Sequence, residues 1–155
     1  MSRSQVLVLA GAGVLTVLLL LASRTPPGKE EAAAQAPDPI DLRVQEAVAL
    51  VNGTQPMQGI MMLRQILEED PENESAIYNL GTLAIQSGQF DRARDYFERL
   101  VRKNPKNLKA QFYLGLSYFQ LGEKEEARKQ FELVKSMEND PAVLSTVEGY
   151  LQELN

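Results

Sequence analysis

The chain has no cysteine, no histidine and no tryptophan among its 155 residues. Without cysteine there is no disulfide, no thiolate chemistry and no acylated lipoprotein terminus, and the redox compartment is left open. Without histidine the commonest general base and the commonest zinc ligand are gone, together with any built-in titration near neutral pH. Positive charge is also scarce. The net charge is −5, and all of it falls in residues 40–155, where 18 acidic residues face 13 basic ones. An acidic domain is a poor match for nucleic acid. The sequence has no glycine-rich phosphate loop, no nucleophile beside a base and no metal-ligand cluster beyond surface carboxylates. Adjacent acids such as Glu68 and Glu69 point apart on a helix. No catalytic residue, no cofactor, no metal and no small-molecule substrate is therefore expected, and the chain is not expected to be an enzyme.

What is present begins with residues 6–22, VLVLAGAGVLTVLLLLA, an uncharged apolar run. As a helix it spans about 25 Å, slightly short of the roughly 30 Å hydrocarbon core. It is longer than the h-region of a cleaved signal, and the small-x-small site near its end is spoiled by Leu21. An uncleaved single-pass anchor is expected over residues 1–22, with a cleavable signal peptide as the alternative. Arg3 lies before the run, and Arg24 and Lys29 lie after it, so basic residues alone do not orient it. The very short N-terminal tail places the following domain outside the cytoplasm, in the periplasm if the source is bacterial. Residues 23–39, SRTPPGKEEAAAQAPDP, cannot bury apolar surface and read as a disordered Pro/Ala-rich linker.

The most informative pattern lies beyond. Tyr78-Asn79-Leu80-Gly81 recurs as Phe112-Tyr113-Leu114-Gly115 after 34 residues. Gly88 recurs as Gly122, Ala93 as Ala127 and Phe97 as Phe131 at the same offset. A repeat of this period predicts stacked helix hairpins. Ile77, Leu80, Gly81 and Ala84 share one helical face, Gly88 ends that helix, and Ala93, Phe97, Leu100 and Val101 line the next. Pro105 closes the unit. Leu80-Gly81, then Ala93-x₃-Phe97, then Pro105 resembles the tetratricopeptide repeat, with Ile77 at the Trp site and Ala84 at the Tyr site. The next unit replays it with Leu114-Gly115-x₂-Tyr118 and Ala127-x₃-Phe131. Gln111 stands at its Trp site, and Pro141 comes two residues late, which predicts a longer exit turn.

Residues 40–73 read as a diverged first unit, with Gly59, Leu63, Ile66 and Leu67 on the second helix. Leu42, Ala47, Leu50 and Val51 are the expected face of its first helix, and its turn carries one extra residue. Val143, Val147, Tyr150, Leu151 and Leu154 share the face of a final helix. The resemblance implies an all-α, right-handed α-solenoid of about three hairpins (40–73, 74–107, 108–141) plus a capping helix (142–155), preceded by one transmembrane helix.

In tetratricopeptide proteins the first helices line a concave groove that takes an extended peptide or a helix. The resemblance therefore implies a groove built from Tyr78, Asn79, Thr82 and Ile85, and from Lys109, Phe112, Tyr113, Leu116 and Phe119. The aromatic set at 112–119 is more apolar than a solvated groove requires. Two other readings keep it in the core: the final helix folds over it, or Phe112 and Phe119 pack between hairpins. Asn79 and Lys109 match two positions of the carboxylate clamp known in the family, but Tyr113 replaces an expected Arg. The expected function is a membrane-tethered adaptor or scaffold for a protein or peptide partner, held to a lipid bilayer by its N-terminal helix. Two alternatives stand beside it. One is a self-associating, homo-oligomeric structural protein of an envelope complex. The other is an assembly factor that holds an apoprotein, by analogy with cytochrome c maturation.

Overall fold

The computed structural model describes residues 38–154. The expected anchor and residues 23–37 of the linker lie outside the described residues. Within them, no helix is long and apolar enough to cross a membrane. Seven helices follow in order: α1 (Pro39–Asn52), α2 (Pro56–Glu69), α3 (Glu74–Gln86), α4 (Phe90–Lys103), α5 (Leu108–Leu121), α6 (Lys124–Met137) and α7 (Pro141–Glu153). The pairs α1/α2, α3/α4 and α5/α6 are antiparallel hairpins, and α7 packs on α6. The described chain is thus an all-helical solenoid.

The helix starts obey a simple rule. The first helix of each hairpin, and α7, is capped by a side chain. Asp38 accepts from the Ile40 amide, Asn73 from Ala76, Asn107 from Ala110 and Asp140 from Ala142. Each cap satisfies an orphaned N–H and contributes about 1 kcal/mol. The second helices α2, α4 and α6 have no side-chain cap. They begin directly out of tight turns. In two of those turns Gly88 and Gly122 take φ of +70° and +76°, a conformation that disfavours any Cβ.

Three buried clusters run along the molecule. Leu63 and Ile66 of α2 close on Ala76 and Leu80 of α3. Phe97 and Leu100 of α4 close on Ala110 and Leu114 of α5. Phe131 and Val134 of α6 close on Val147 of α7 and on Leu154. Each hairpin thus buries its apolar face against the first helix of the next, as a repeat that cannot be stable alone must do. Gly81 and Gly115 are small because each faces a phenylalanine of its own hairpin. A Cβ on Gly81 would stand 2.8 Å from Cζ of Phe97, and one on Gly115 would stand 2.9 Å from Cε1 of Phe131. Polar contacts tie α4 to the start of α3 and to the turn that precedes it. Arg99 donates to the Pro71 carbonyl, Lys103 donates to the Glu72 carbonyl at 3.0 Å, and Lys103 pairs with Glu74 at 3.2 Å.

Two local expectations are corrected. Leu42 is 49% exposed and lies off the apolar face of α1, which runs through Ile40, Val44, Ala47, Val48 and Val51. Two residues beyond Ile40 is a rotation of about 200°, the opposite side of the helix. The exit turn after α6 is shorter, not longer. It spans residues 138–140, whereas the turns after α2 and α4 span 70–73 and 104–107. Pro71 and Pro105 sit inside their turns. Pro141 is instead the first residue of α7, a position where its missing N–H costs nothing.

Candidate interaction groove

Two neighbouring clefts lie on the face made by the first helices. The first, of about 290 Å³, opens between α3 and α5 and is lined by Glu74, Ser75, Tyr78, Asn79, Leu100, Asn107 and Lys109. The second, of about 360 Å³, opens between α5 and α7. Its walls are Leu108, Lys109, Phe112 and Tyr113 from α5, Val134 from α6, Val143 and Thr146 from α7, with Tyr78 and Glu138 at its edges. The two are the same niche repeated. Glu74, Ser75, Tyr78, Asn79, Leu100 and Lys109 of the first stand 34 residues before Leu108, Lys109, Phe112, Tyr113, Val134 and Val143 of the second.

Chemistry changes across that offset. Where the first niche has Glu74, Ser75 and Asn79, the second has Leu108, Lys109 and Tyr113. Where the first has Lys109, the second has Val143. The first niche is the more polar of the two and the second the more apolar. Tyr78 and Lys109 belong to both.

Five of the nine residues expected from sequence line these clefts: Tyr78, Asn79, Lys109, Phe112 and Tyr113. The other four line neither. Thr82 donates its hydroxyl to the Asn79 carbonyl at 2.9 Å. Ile85 packs against the middle core cluster. Phe119 packs on the last cluster, 5.2 Å from the Tyr150 ring, and Leu116 is half-buried along α5. The α7 wall, Val143 and Thr146, was not among the expected site residues. The signal was available: the period continues past the last full unit, and Val143 is Lys109 plus one repeat.

The clefts are stiffly walled. Tyr113 stacks on Phe97 at 5.1 Å and meets Tyr78 edge-on at 5.8 Å. Phe112 contacts Tyr113, Phe131 and Tyr150 at 5.6, 6.0 and 6.2 Å. Phe131 and Tyr150 stack at 5.0 Å. Such ring pairs add roughly 0.5–1.5 kcal/mol each beyond burial. Burial, with a hydrogen bond to Tyr113, pushes the Tyr78 hydroxyl up to about 12, so it stays protonated as a polar point in an aromatic wall. Asn79 spends its amide nitrogen on the Ser75 carbonyl at 2.8 Å. Its oxygen is the group left for a ligand N–H. Lys109 is exposed and has no acidic partner within 4 Å among the described residues. Glu138, in the turn before α7, accepts from the amides of Asn139 and Asp140, which holds its carboxylate at the lining of the second cleft.

Several other charges are engaged in the scaffold. Arg94 reaches Glu123 at 3.1 Å and Asp95 at 3.4 Å, and Arg43 forms a two-pronged pair with Glu69. Among the described residues no group of three or more acidic side chains is placed to hold a metal ion.

Comparison with known proteins agrees with this architecture. Residues 78–142 match the family model of the tetratricopeptide repeat. No curated protein matches the chain. Among solved structures, the chain is similar to the first TPR of Spaghetti (RPAP3) bound to HSP90 peptide SRMEEVD. That match has 21% identity and a TM-score of 0.65, over 74% of this chain and 92% of that one. It is also similar to MamA AMB-1, at 23% identity and a TM-score of 0.62, over 74% of this chain and 67% of that one. A third is the N-terminal domain of stress-induced protein-1 (STI-1) from C. elegans, at 15% identity and a TM-score of 0.59, over 72% of this chain and 93% of that one. At these identities the likeness establishes the fold, a solenoid of tetratricopeptide repeats.

Proposed function

We propose that the chain is a membrane-tethered adaptor that holds an extended segment of a partner protein across α3, α5 and α7. The observation that carries this reading is the pair of adjacent clefts, repeated at the period of the fold and walled by locked aromatic rings. Concave sites with a few fixed polar groups are where ligands bind. A similar fold accepting a peptide, the HSP90 segment SRMEEVD on RPAP3, supports it. In this reading residues 6–22 are a single-pass anchor, residues 23–37 are a spacer, and the repeats lie outside the cytoplasm. Holding an unfolded apoprotein is one form that such a role takes.

The test is crosslinked capture by the full-length protein in its membrane, beside a Thr146→Trp variant. Thr146 is exposed on α7 at the second cleft, so the indole fills the cleft without disturbing the core. A partner retained by the wild type and lost by the variant establishes groove binding. Equal capture by both places the interface elsewhere.

One observation favours self-association as a second reading. Met57 and Met61 on α2 are 66% and 65% exposed. One and two repeats later those positions are Asp91 and Asp95, then Glu125 and Lys129. Sedimentation of the full chain in mild detergent, with Met57→Asp and Met61→Asp, measures whether this apolar patch joins copies.

A further inference from the structure

Resting on groove binding as its premise, the repeated niche says more about what is bound. We infer that the groove reads a short extended segment with a bulky apolar side chain in the second cleft and a carboxylate side chain beside Lys109, about three residues away.

The apolar half follows from the walls. Leu108, Phe112, Val134 and Val143 line the second cleft, and its volume of about 360 Å³ is ample for a leucine- or phenylalanine-sized side chain. The rings behind Phe112 hold that wall in place, so the cleft exists before the ligand arrives and little ordering is needed on binding.

The acidic half follows from charge. At the first cleft two ammonium groups, Lys109 and Lys103, meet one carboxylate, Glu74, which Lys103 already pairs at 3.2 Å. Lys109 is left uncompensated on the wall between the two clefts. The second cleft is also lined by Glu138, in the turn that leads into α7, on the side away from α3. A carboxylate is therefore attracted on the first-cleft side of the apolar anchor and repelled on the other. That asymmetry fixes which way along the groove the charged end lies. It also differs from recognition of a chain terminus by several cations, because a single lysine serves a single side-chain carboxylate.

The spacing follows from the scaffold. The clefts occupy successive gaps between packed helices, and packed helices stand about 8–10 Å apart. An extended strand rises about 3.3 Å per residue, and a polyproline-type chain advances about 9.3 Å in three residues. Side chains three residues apart on such a segment match the step from one cleft to the next. The Asn79 oxygen, its nitrogen already bonded to Ser75, is placed at the first cleft to accept a backbone N–H.

The experiment is selection of random twelve-residue peptides displayed on phage, using the full-length protein in mild detergent and two variants checked for helicity by circular dichroism. The wild type is expected to enrich a bulky apolar residue with Asp or Glu about three positions away. Lys109→Glu is expected to keep the apolar residue, replace the acid by Lys or Arg, and weaken the wild-type peptides about tenfold. Thr146→Trp is expected to lose the apolar preference. Enriched peptides without the pair, or the same acidic preference in Lys109→Glu, overturn this inference and leave groove binding standing. Failure of all three proteins to enrich any sequence overturns groove binding and this inference together.

Discussion

Two glycines in the C-terminal half should respond in opposite directions to the same substitution. Gly115 lies in α5 and Gly149 in α7, and both gain intrinsic helix propensity of roughly 1 kcal/mol on replacement by alanine. At Gly149 no atom lies within 4 Å of the added Cβ, so that gain is kept. At Gly115 the Cβ would meet Phe131 Cε1 at 2.9 Å, Phe131 Cδ1 at 3.1 Å and Cβ of Gln130 at 3.2 Å. Ordinary carbon contacts lie near 3.5–4.0 Å. The ring has nowhere to go, because it stacks on Tyr150 at 5.0 Å and touches Phe112. Overpacking a filled core costs about 1–3 kcal/mol, and here the upper part of that range applies. Subtracting the propensity gain leaves a loss of about 1–2 kcal/mol. For a domain of this size the melting temperature should fall by about 2–8 °C with Gly115→Ala and rise by about 2–4 °C with Gly149→Ala. Thermal unfolding followed by ellipticity at 222 nm measures both. If Gly115→Ala melts at or above the wild type, the claim that glycine makes room for Phe131 is wrong.

Three further outcomes rest on the same packing. Gln111 is fully buried at the position that Ile77 fills one repeat earlier; its amide nitrogen donates to the Pro105 carbonyl, but its oxygen has no partner. Gln111→Leu should stabilise the chain by roughly 1 kcal/mol in urea unfolding, since a buried unpaired carbonyl costs about that much or more; a large loss would mean that the bond to Pro105 holds the turn. Burial and the bond to Glu98 push the Tyr118 hydroxyl up to about 12, and Tyr78 rises likewise. The folded state then holds those protons more tightly than the unfolded chain, so stability is complete below about pH 10 and declines from there toward 12. Absorbance titration at 295 nm should show two of the five tyrosines ionising late, and Tyr118→Phe should remove one of them. Phe112→Ala should cost about 3 kcal/mol because it strips contacts from Tyr113, Phe131 and Tyr150; a melting temperature unchanged from the wild type would free Phe112 to act as a ligand contact alone.

The period of 34 residues made the architecture legible. Matched residues such as Gly81 and Gly115, or Phe97 and Phe131, are steric partners whose types are forced by contact, so they survive as a readable pattern. The groove was legible in part. Tyr78, Asn79, Lys109, Phe112 and Tyr113 line the clefts, and they were legible because the period carries the first-helix face from one repeat to the next. Ile85 and Phe119 were apolar residues on the correct helices, but an apolar residue near a face boundary packs inward when the neighbouring helix offers a surface, and sequence does not show that surface. Phe119 meets Tyr150 only because α7 turns back over α5. Leu42 failed for a plainer reason: the first repeat has diverged, and although Ala47 and Val51 lie on the apolar face, Leu42 stands two residues from both Ile40 and Val44, on the opposite side of the helix.

The last helix argues that cap and groove are one device. Read only as a lid, α7 has to cover Phe131 and Val134, and Val147 and Leu154 do so on one side. Yet Val143 and Thr146 on its first two turns line the second cleft, and Val143 stands one period after Lys109, which walls the first. The helix therefore stands where the first helix of a fourth repeat falls. Pro141 at its first position starts it one residue sooner than the period would, which shortens the turn and leaves Glu138 at the rim. Removing α7 to test the groove would expose Phe112, Phe119, Phe131 and Val134 together and unfold the third hairpin, so a loss of binding would carry no information. Filling the cleft from the exposed Thr146, or reversing charge at the exposed Lys109, changes the groove while the cap keeps its grip on the core. Those two positions separate recognition from folding because their side chains serve the groove and not the packing beneath it.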